Sequence, residues 1–229
     1  MENSVVTPSD ALALGWFLFC WIGYALAADR LRAGRSSLMR ATRAYREAWM
    51  RGMLEREVRI GDTNLVGHLM HSVSFFASTT IIIIGGLIAM LGAVDQTLAV
   101  TDTLSFTVSG SREALELKLL LLLVIFTYAF FKFTWSLRQF NYCCILIGAA
   151  PNCFPDQDSL VAYARRAARL NALAGDHFNR GLRAYYFGLA ILAWFVHPWL
   201  FMAVSAFVVA VLYRREFASD ILQALEEHP

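Results

Sequence analysis

Apolar positions along the chain gather into four blocks separated by charged segments. Three of them, 11–28, 65–93 and 114–131, are close to or beyond the ~20 residues that a helix rising 1.5 Å per residue needs to cross a ~30 Å hydrocarbon layer. The third continues in a more polar form to about residue 149. The fourth, 185–213, would be about 43 Å long as one helix, too long for a crossing without strong tilt. His197-Pro198 interrupts it, and proline suits the first turn of a new helix, where no amide donor is needed. A hairpin is therefore expected, with Trp194 and Trp199 at one membrane face and Tyr185, Tyr186 and Tyr213 at the other. The fold class this predicts is an all-α membrane helix bundle with five spans, the fourth and fifth a short hairpin, forming a single membrane domain over residues 1–229.

Two amphipathic stretches lie between the blocks. Over about 36–62, Arg43, Glu47, Arg51, Glu55 and Arg59 alternate in sign at every fourth residue, a ladder worth only ~0.2–0.5 kcal/mol per pair. Leu38, Ala41, Tyr45, Trp49 and Met53 form a second stripe that needs a partner: a neighbouring helix, another subunit or the lipid surface. A further helix is expected over about 156–182, with Asp156 or Asp158 as its cap. Its face Leu160, Ala164, Ala167, Asn171, Ala174 and Phe178 is mostly small, which lets helix axes approach closely. Together these stretches predict a cytoplasmic helical collar, easier to satisfy in a cyclic homo-oligomer than in a monomer, with a monomeric helical hairpin as the alternative.

Composition agrees with a membrane setting: 58% of the 229 residues are hydrophobic and 17% charged, against about 45–50% and a quarter in soluble domains. With five spans, eighteen of the twenty basic residues fall on one side and only Arg112 and Lys118 on the other; with four spans the split is sixteen to four. The positive-inside rule thus favours five, with the N-terminus outside and the C-terminus cytoplasmic, in a cell inner membrane. Residues 1–10 carry Glu2 and Asp10 but no Lys or Arg, so the first block reads as a retained anchor rather than a signal peptide. The four cysteines are too few and too scattered for a disulfide scaffold.

No HExxH, CxxC pair, GxSxG or GxxxxGK motif is present, so no enzyme activity and no cofactor is expected. His68 and His71 are three apart, with Asp62 nearby, but a His pair underfills a tetrahedral metal site. More informative is the second block. Its inner half carries His68, His71, Ser72, Ser74, Ser78, Thr79 and Thr80; its outer half begins with isoleucines 81–84, then Gly85 and Gly86. His71, Ser74, Ser78 and Gly85 follow one helical line, which reads either as helix packing or as a pore wall leading to a hydrophobic gate at Ile82. On the third block Lys132, Ser136 and Gln139 share a face, and a charge near a bilayer normally faces a bundle interior or water. The leading expectation is an oligomeric channel or passive transporter for small ions. Its pore-lining set is His71, Ser74, Ser78, Ile82, Gly85, Lys132, Ser136 and Gln139. The alternatives are a non-conducting scaffold binding lipid or a partner through its arginines, and a haem- or metal-binding subunit using His68 and His71. Expected partners are the bilayer, further copies of the chain and small ions, with no nucleic acid. Charge selectivity stays open: Lys132 and Arg138 favour anions, whereas Asp95, Asp102, Glu113 and Glu116 favour cations.

Three segments, REVRIGDTNLVGHLMHSVSFFASTTIIIIGG, FFKFTWSLRQFNY and WFVHPWLFMAVSAFVVAVLYRREF, carry a resemblance. The chain resembles the uncharacterised multi-pass membrane family known only as domain of unknown function 599. That resemblance implies a bacterial or plant-type multi-pass membrane protein and lends it no activity. The segment TDTLSFTVSGS, between the second and third blocks, has some strand character.

Overall fold

A computed structural model describes residues 7–34, 37–103 and 111–226. Among these, the chain forms eight helices and no strand: α1 (Pro8–Gly34), α2 (Leu38–Leu54), α3 (Ile60–Gly92), α4 (Val94–Thr103), α5 (Arg112–Gly148), α6 (Gln157–Val196), α7 (Pro198–Phe217) and α8 (Asp220–Glu226). Three helices are long and apolar enough to cross a membrane: α1 over Pro8–Ala28, α3 and α5.

Local chemistry sets several of the boundaries. At the start of α1 the Thr7 hydroxyl accepts the Asp10 amide at 3.2 Å and donates back to the Asp10 carboxylate at 2.5 Å, relieving amides that have no intrahelical partner. Ser37 caps α2 through the Arg40 amide. Asp156 caps α6, its Oδ1 accepting the Ser159 amide at 2.6 Å; that bond holds the carboxyl below its ordinary value. The expected break at His197-Pro198 is present. Pro198 opens α7, the His197 ring accepts the Trp199 amide at 3.3 Å, and the His197 carbonyl accepts the Phe201 amide at 3.1 Å.

The helices differ from expectation in three places. The amphipathic stretch over 36–62 ends at Leu54, and α3 begins only at Ile60; Arg56 in the intervening turn binds Asp62, which also accepts the Trp49 indole N–H at 2.7 Å. The helix expected over 156–182 does not stop there but continues through the fourth apolar block as one 40-residue α6, about 60 Å long. Residues 94–103 are helical; of the segment TDTLSFTVSGS, the first three residues close α4 and 104–110 lie outside the described residues.

Two compact units emerge, with α3, α5 and α6 each contributing a part to both. Unit 1 takes the described residues of α1, Thr80–Ala129 and Leu182–Arg215. At its centre Phe17 meets Phe187 edge-on and Phe201 at 5.1 Å, and Phe201 stacks on Trp194 at 4.9 Å. With Arg215 bonded to the Tyr186 hydroxyl, these contacts make α6 and α7 an antiparallel hairpin. Trp194 is 1% exposed and Trp199 60%, so of the expected pair of anchors only Trp199 is accessible at the surface. Trp194 is a core residue whose indole N–H donates to Asp10 at 2.7 Å.

Unit 2 takes residues 35–79, 130–181 and 216–229, less those not described. Here α5 lies along the small-residue face of α6: the Ser136 hydroxyl donates to the Ala174 carbonyl at 2.7 Å, and the Cys143 thiol points at the Ala167 carbonyl at 3.8 Å. Phe133 packs on Phe76 and Phe178. The close helix approach expected of this small-residue seam is made by the chain's own α5. The stripe on α2 likewise finds part of its cover within the chain, since α8 packs on α2 and the Tyr45 hydroxyl donates to the Leu225 carbonyl at 3.2 Å.

Candidate functional site

The polar line of α3 faces out of the single chain. Val66, Val73, Ala77, Thr80 and Leu87 form the buried face of this helix, while His68, His71, Ser72, Ser74, Ser78, Gly85 and Gly86 are all exposed. Ile82, at the expected gate, is 75% exposed. Ser72 and Thr79 return their hydroxyls to the carbonyls of His68 and Phe75 at 3.2 and 2.8 Å. A Cβ added at Gly67, Gly85 or Gly86 would meet nothing within 4 Å. Within the chain, then, no described contact requires these glycines, although each costs about 1 kcal/mol of helix stability relative to alanine.

The α5 part of the expected pore set lies elsewhere. Ser136 is fully buried against α6, Gln139 is buried with its side-chain oxygen lacking a donor, and Lys132 is half-buried near His177. The structure thus brings His71, Ser74, Ser78, Ile82 and Gly85 onto one open helix face and turns Ser136 and Gln139 into the interior of unit 2.

A second constellation, unit 2's arginine network, went unnoticed in the sequence. Arg46 of α2 binds the side-chain oxygen and the carbonyl of Asn171, and Asn171 in turn directs its amide at the Cys143 sulfur at 3.7 Å. Gly175 eases this approach: a Cβ there would lie 3.1 Å from the Arg46 guanidinium, which would have to give by a few tenths of an ångström. Burial pulls the Arg46 pKa down, an effect opposed by the nearby Asp176 charge; arginine nevertheless stays charged. One turn back, Arg43 pairs with Asp176 at 2.6 Å. Glu47 accepts from Arg51 at 2.8 Å and Arg165 at 3.2 Å, and these bonds hold its carboxyl below the ordinary value. Arg43, Glu47, Arg165, Ala168, Arg169, Ala172 and Leu173 line a cleft of about 390 Å³.

The signal that could have exposed this network is Asn171 itself, a polar residue alone in a face of alanines. The four-residue ladder drew attention to Arg43 and Glu47 but away from Arg46, which lies off its line. Of the ladder, the Glu47–Arg51 step forms within α2, whereas Arg43 crosses to α6 and Arg59 donates to the Ala150 and Pro151 carbonyls at 2.6 and 3.0 Å.

The family described as "Protein of unknown function, DUF599" matches the chain over residues 12–221. The chain belongs to this family. No curated protein and no solved structure matches it.

In this DUF599 protein the His68–His71 pair has no third ligand beside it. Asp62 is buried and taken up by Trp49 and Arg56, while both histidines are on the exposed side of α3. Among the described residues no three His, Cys, Asp or Glu side chains come together as a metal site. The cysteines are all free thiols, with Cys20 and Cys143 buried among packed side chains.

Proposed function

We propose that this DUF599 protein is an oligomeric membrane channel or passive transporter for small ions, in which α3 helices of several subunits line a shared path. The exposed face of α3 carries the reading. Ser72 and Thr79 satisfy their hydroxyls on their own helix, but the His68 and His71 imidazoles are costly against acyl chains, and three glycines on that side leave room for the close approach of another helix. Ile82 then supplies an apolar ring above a vestibule of Ser74, Ser78 and His71, a constriction of the kind that gates by dewetting. The topology belonging to this reading has five spans, α6 and α7 forming the last two, with the N-terminus outside and the arginine-rich segments in the cytoplasm of a bacterial-type inner membrane. It draws support from the α6–α7 hairpin and from α7, whose 20 residues match a single crossing.

Flux through liposomes containing the purified protein tests the proposal. Wild type should pass ions, Ile82→Ser should raise the leak, and the mass in detergent should correspond to a ring. A monomer that is silent with and without the substitution would overturn it.

A non-conducting scaffold is the second reading, and one observation favours it: Ser136 and Gln139 are directed into the subunit, which leaves any pore with α3 alone as its polar wall. Here the α3 faces would simply pack, and the arginines of α2 and α6 would hold an anionic surface.

A further inference from the structure

We propose that the cleft between α2 and α6 in unit 2 binds a phosphate group, with Arg43, Arg165 and Arg169 as its ligands. Shape and charge argue for this together. Ala168 and Ala172, one turn apart on α6, remove side-chain bulk and leave a hollow of about 390 Å³, within the range of small-molecule sites. That is more room than a bare phosphate fills, so the site has space for the group that carries it. Around the hollow stand three arginines and one carboxylate, Glu47; with Asp176, which pairs with Arg43, counted as well, one positive charge is left in excess.

The guanidiniums keep donors to spare. Arg165 uses its Nε–H on Glu47, which leaves its terminal nitrogens open. Arg43 uses one terminal nitrogen on Asp176. Arg169, exposed and one turn from Arg165, bonds no described residue. A guanidinium offers five N–H donors in a rigid fork, the geometry that matches phosphate oxygens in pairs. Glu47 and Asp176 also do something specific: by fixing Arg165 and Arg43 across the cleft, they hold two of the three forks in place before any ligand arrives, which lowers the ordering cost of binding. The site is independent of the α3 face, and its existence does not require conduction.

A phosphate of this kind reaches the cleft either free in solution or as the headgroup of an anionic lipid. Both sources are tested on the purified full chain. The first arm is calorimetric titration with inorganic phosphate at constant ionic strength. The second is native mass spectrometry after reconstitution in phosphatidylcholine doped with phosphatidic acid. Wild type is expected to bind phosphate in the first arm or to retain phosphatidic acid in the second, and the arm that responds identifies the source. The double variant Arg165→Gln, Arg169→Gln should weaken that response at least about tenfold. Arg138→Gln, on α5 and away from the cleft, should leave it unchanged. Because Arg169 supports no described contact, Arg169→Gln alone keeps the test open should the double variant fold poorly. Silence of wild type in both arms, or equal binding by wild type and the cleft variants, would overturn the proposal.

Discussion

The Lys118 ammonium donates to the backbone carbonyl of Trp194 at 3.1 Å. In a continuous helix that carbonyl would receive the amide four residues on, but residue 198 is proline and has no N–H. A side chain from α5 thus replaces the backbone donor lost at the α6–α7 break. The same ammonium lies 5.5 Å from the ring centroids of Trp194 and Phe195, and the Trp194 indole reaches Asp10 near the start of α1. One cation therefore ties the first turns of α5 to the hairpin tip, and the indole adds α1.

Replacing Lys118 by methionine keeps the stem and removes the donor. The Trp194 carbonyl is then left without its partner, and a loss of about 1–3 kcal/mol is expected. Thermal unfolding in detergent measures it, and hydrogen exchange should localise the loosening to 193–201. An unchanged melting curve would mean that solvent reaches this carbonyl.

Gly181 and Gly86 should respond oppositely to alanine. A Cβ at Gly181 would meet Phe133 at 2.8 and 2.9 Å, and Phe133 is fully buried between Phe76 and Phe178, so the ring has nowhere to move. Overpacking of this kind costs about 1–3 kcal/mol, more than the ~1 kcal/mol alanine returns in helix propensity. Gly86→Ala meets nothing and should stabilise the isolated subunit slightly. Equal melting temperatures for the two variants would contradict this packing.

His177 sits against the Trp135 ring with Lys132, Arg180 and Asp176 around it. Burial first, then the two cations, push its pKa below the ordinary 6.5, and Asp176 opposes them only in part. The unfolded chain therefore binds the proton more readily than the folded one. It follows that this contribution to stability is complete above about pH 6.5 and declines as pH falls below that value. His177→Asn should flatten the stability profile between pH 5 and 6.5 while leaving pH 8 behaviour almost untouched. A wild-type profile already flat over that range would show that His177 titrates normally.

Much of this was legible in the chain, and particular residues show where legibility ends. Pro198 announces a break because its ring forbids continuation whatever surrounds it, and Asp156 announces a cap because its side chain bonds locally. The alanines at 164, 167 and 174 mark a close-packed face because small side chains let a second helix axis approach closely. What periodicity cannot give is the partner: the same seam serves α5 of its own chain or a helix of another. Arg43 likewise looked like a rung of a local ladder, while its carboxylate lies 133 residues away in Asp176. The division of α6 into two helices followed a change of polarity near residue 183, yet no proline or glycine pair there stops the backbone, and the helix runs on.

The remaining prediction separates assembly through α3 from simple exposure of that helix to lipid. With the four native cysteines replaced by alanine, Ser78→Cys puts a thiol on the open line of α3, and Ser136→Cys puts one against the Ala174 carbonyl inside the subunit. If α3 faces meet around an axis, mild oxidation in membranes should convert a large fraction of the Ser78→Cys protein into covalent dimers, since thiols on facing helices come within disulfide range. Ser136→Cys should stay monomeric under the same conditions, because α6 covers it whatever the oligomer. Ile82→Cys, one turn further along, should also cross-link if the isoleucines converge on a gate. Dimers from Ser78→Cys without any from Ile82→Cys would mean that the helices meet near Ser78 and diverge one turn further on, leaving a packed assembly with no gate. No dimers from either would mean that the face meets only lipid, and the oligomeric reading would fall with it.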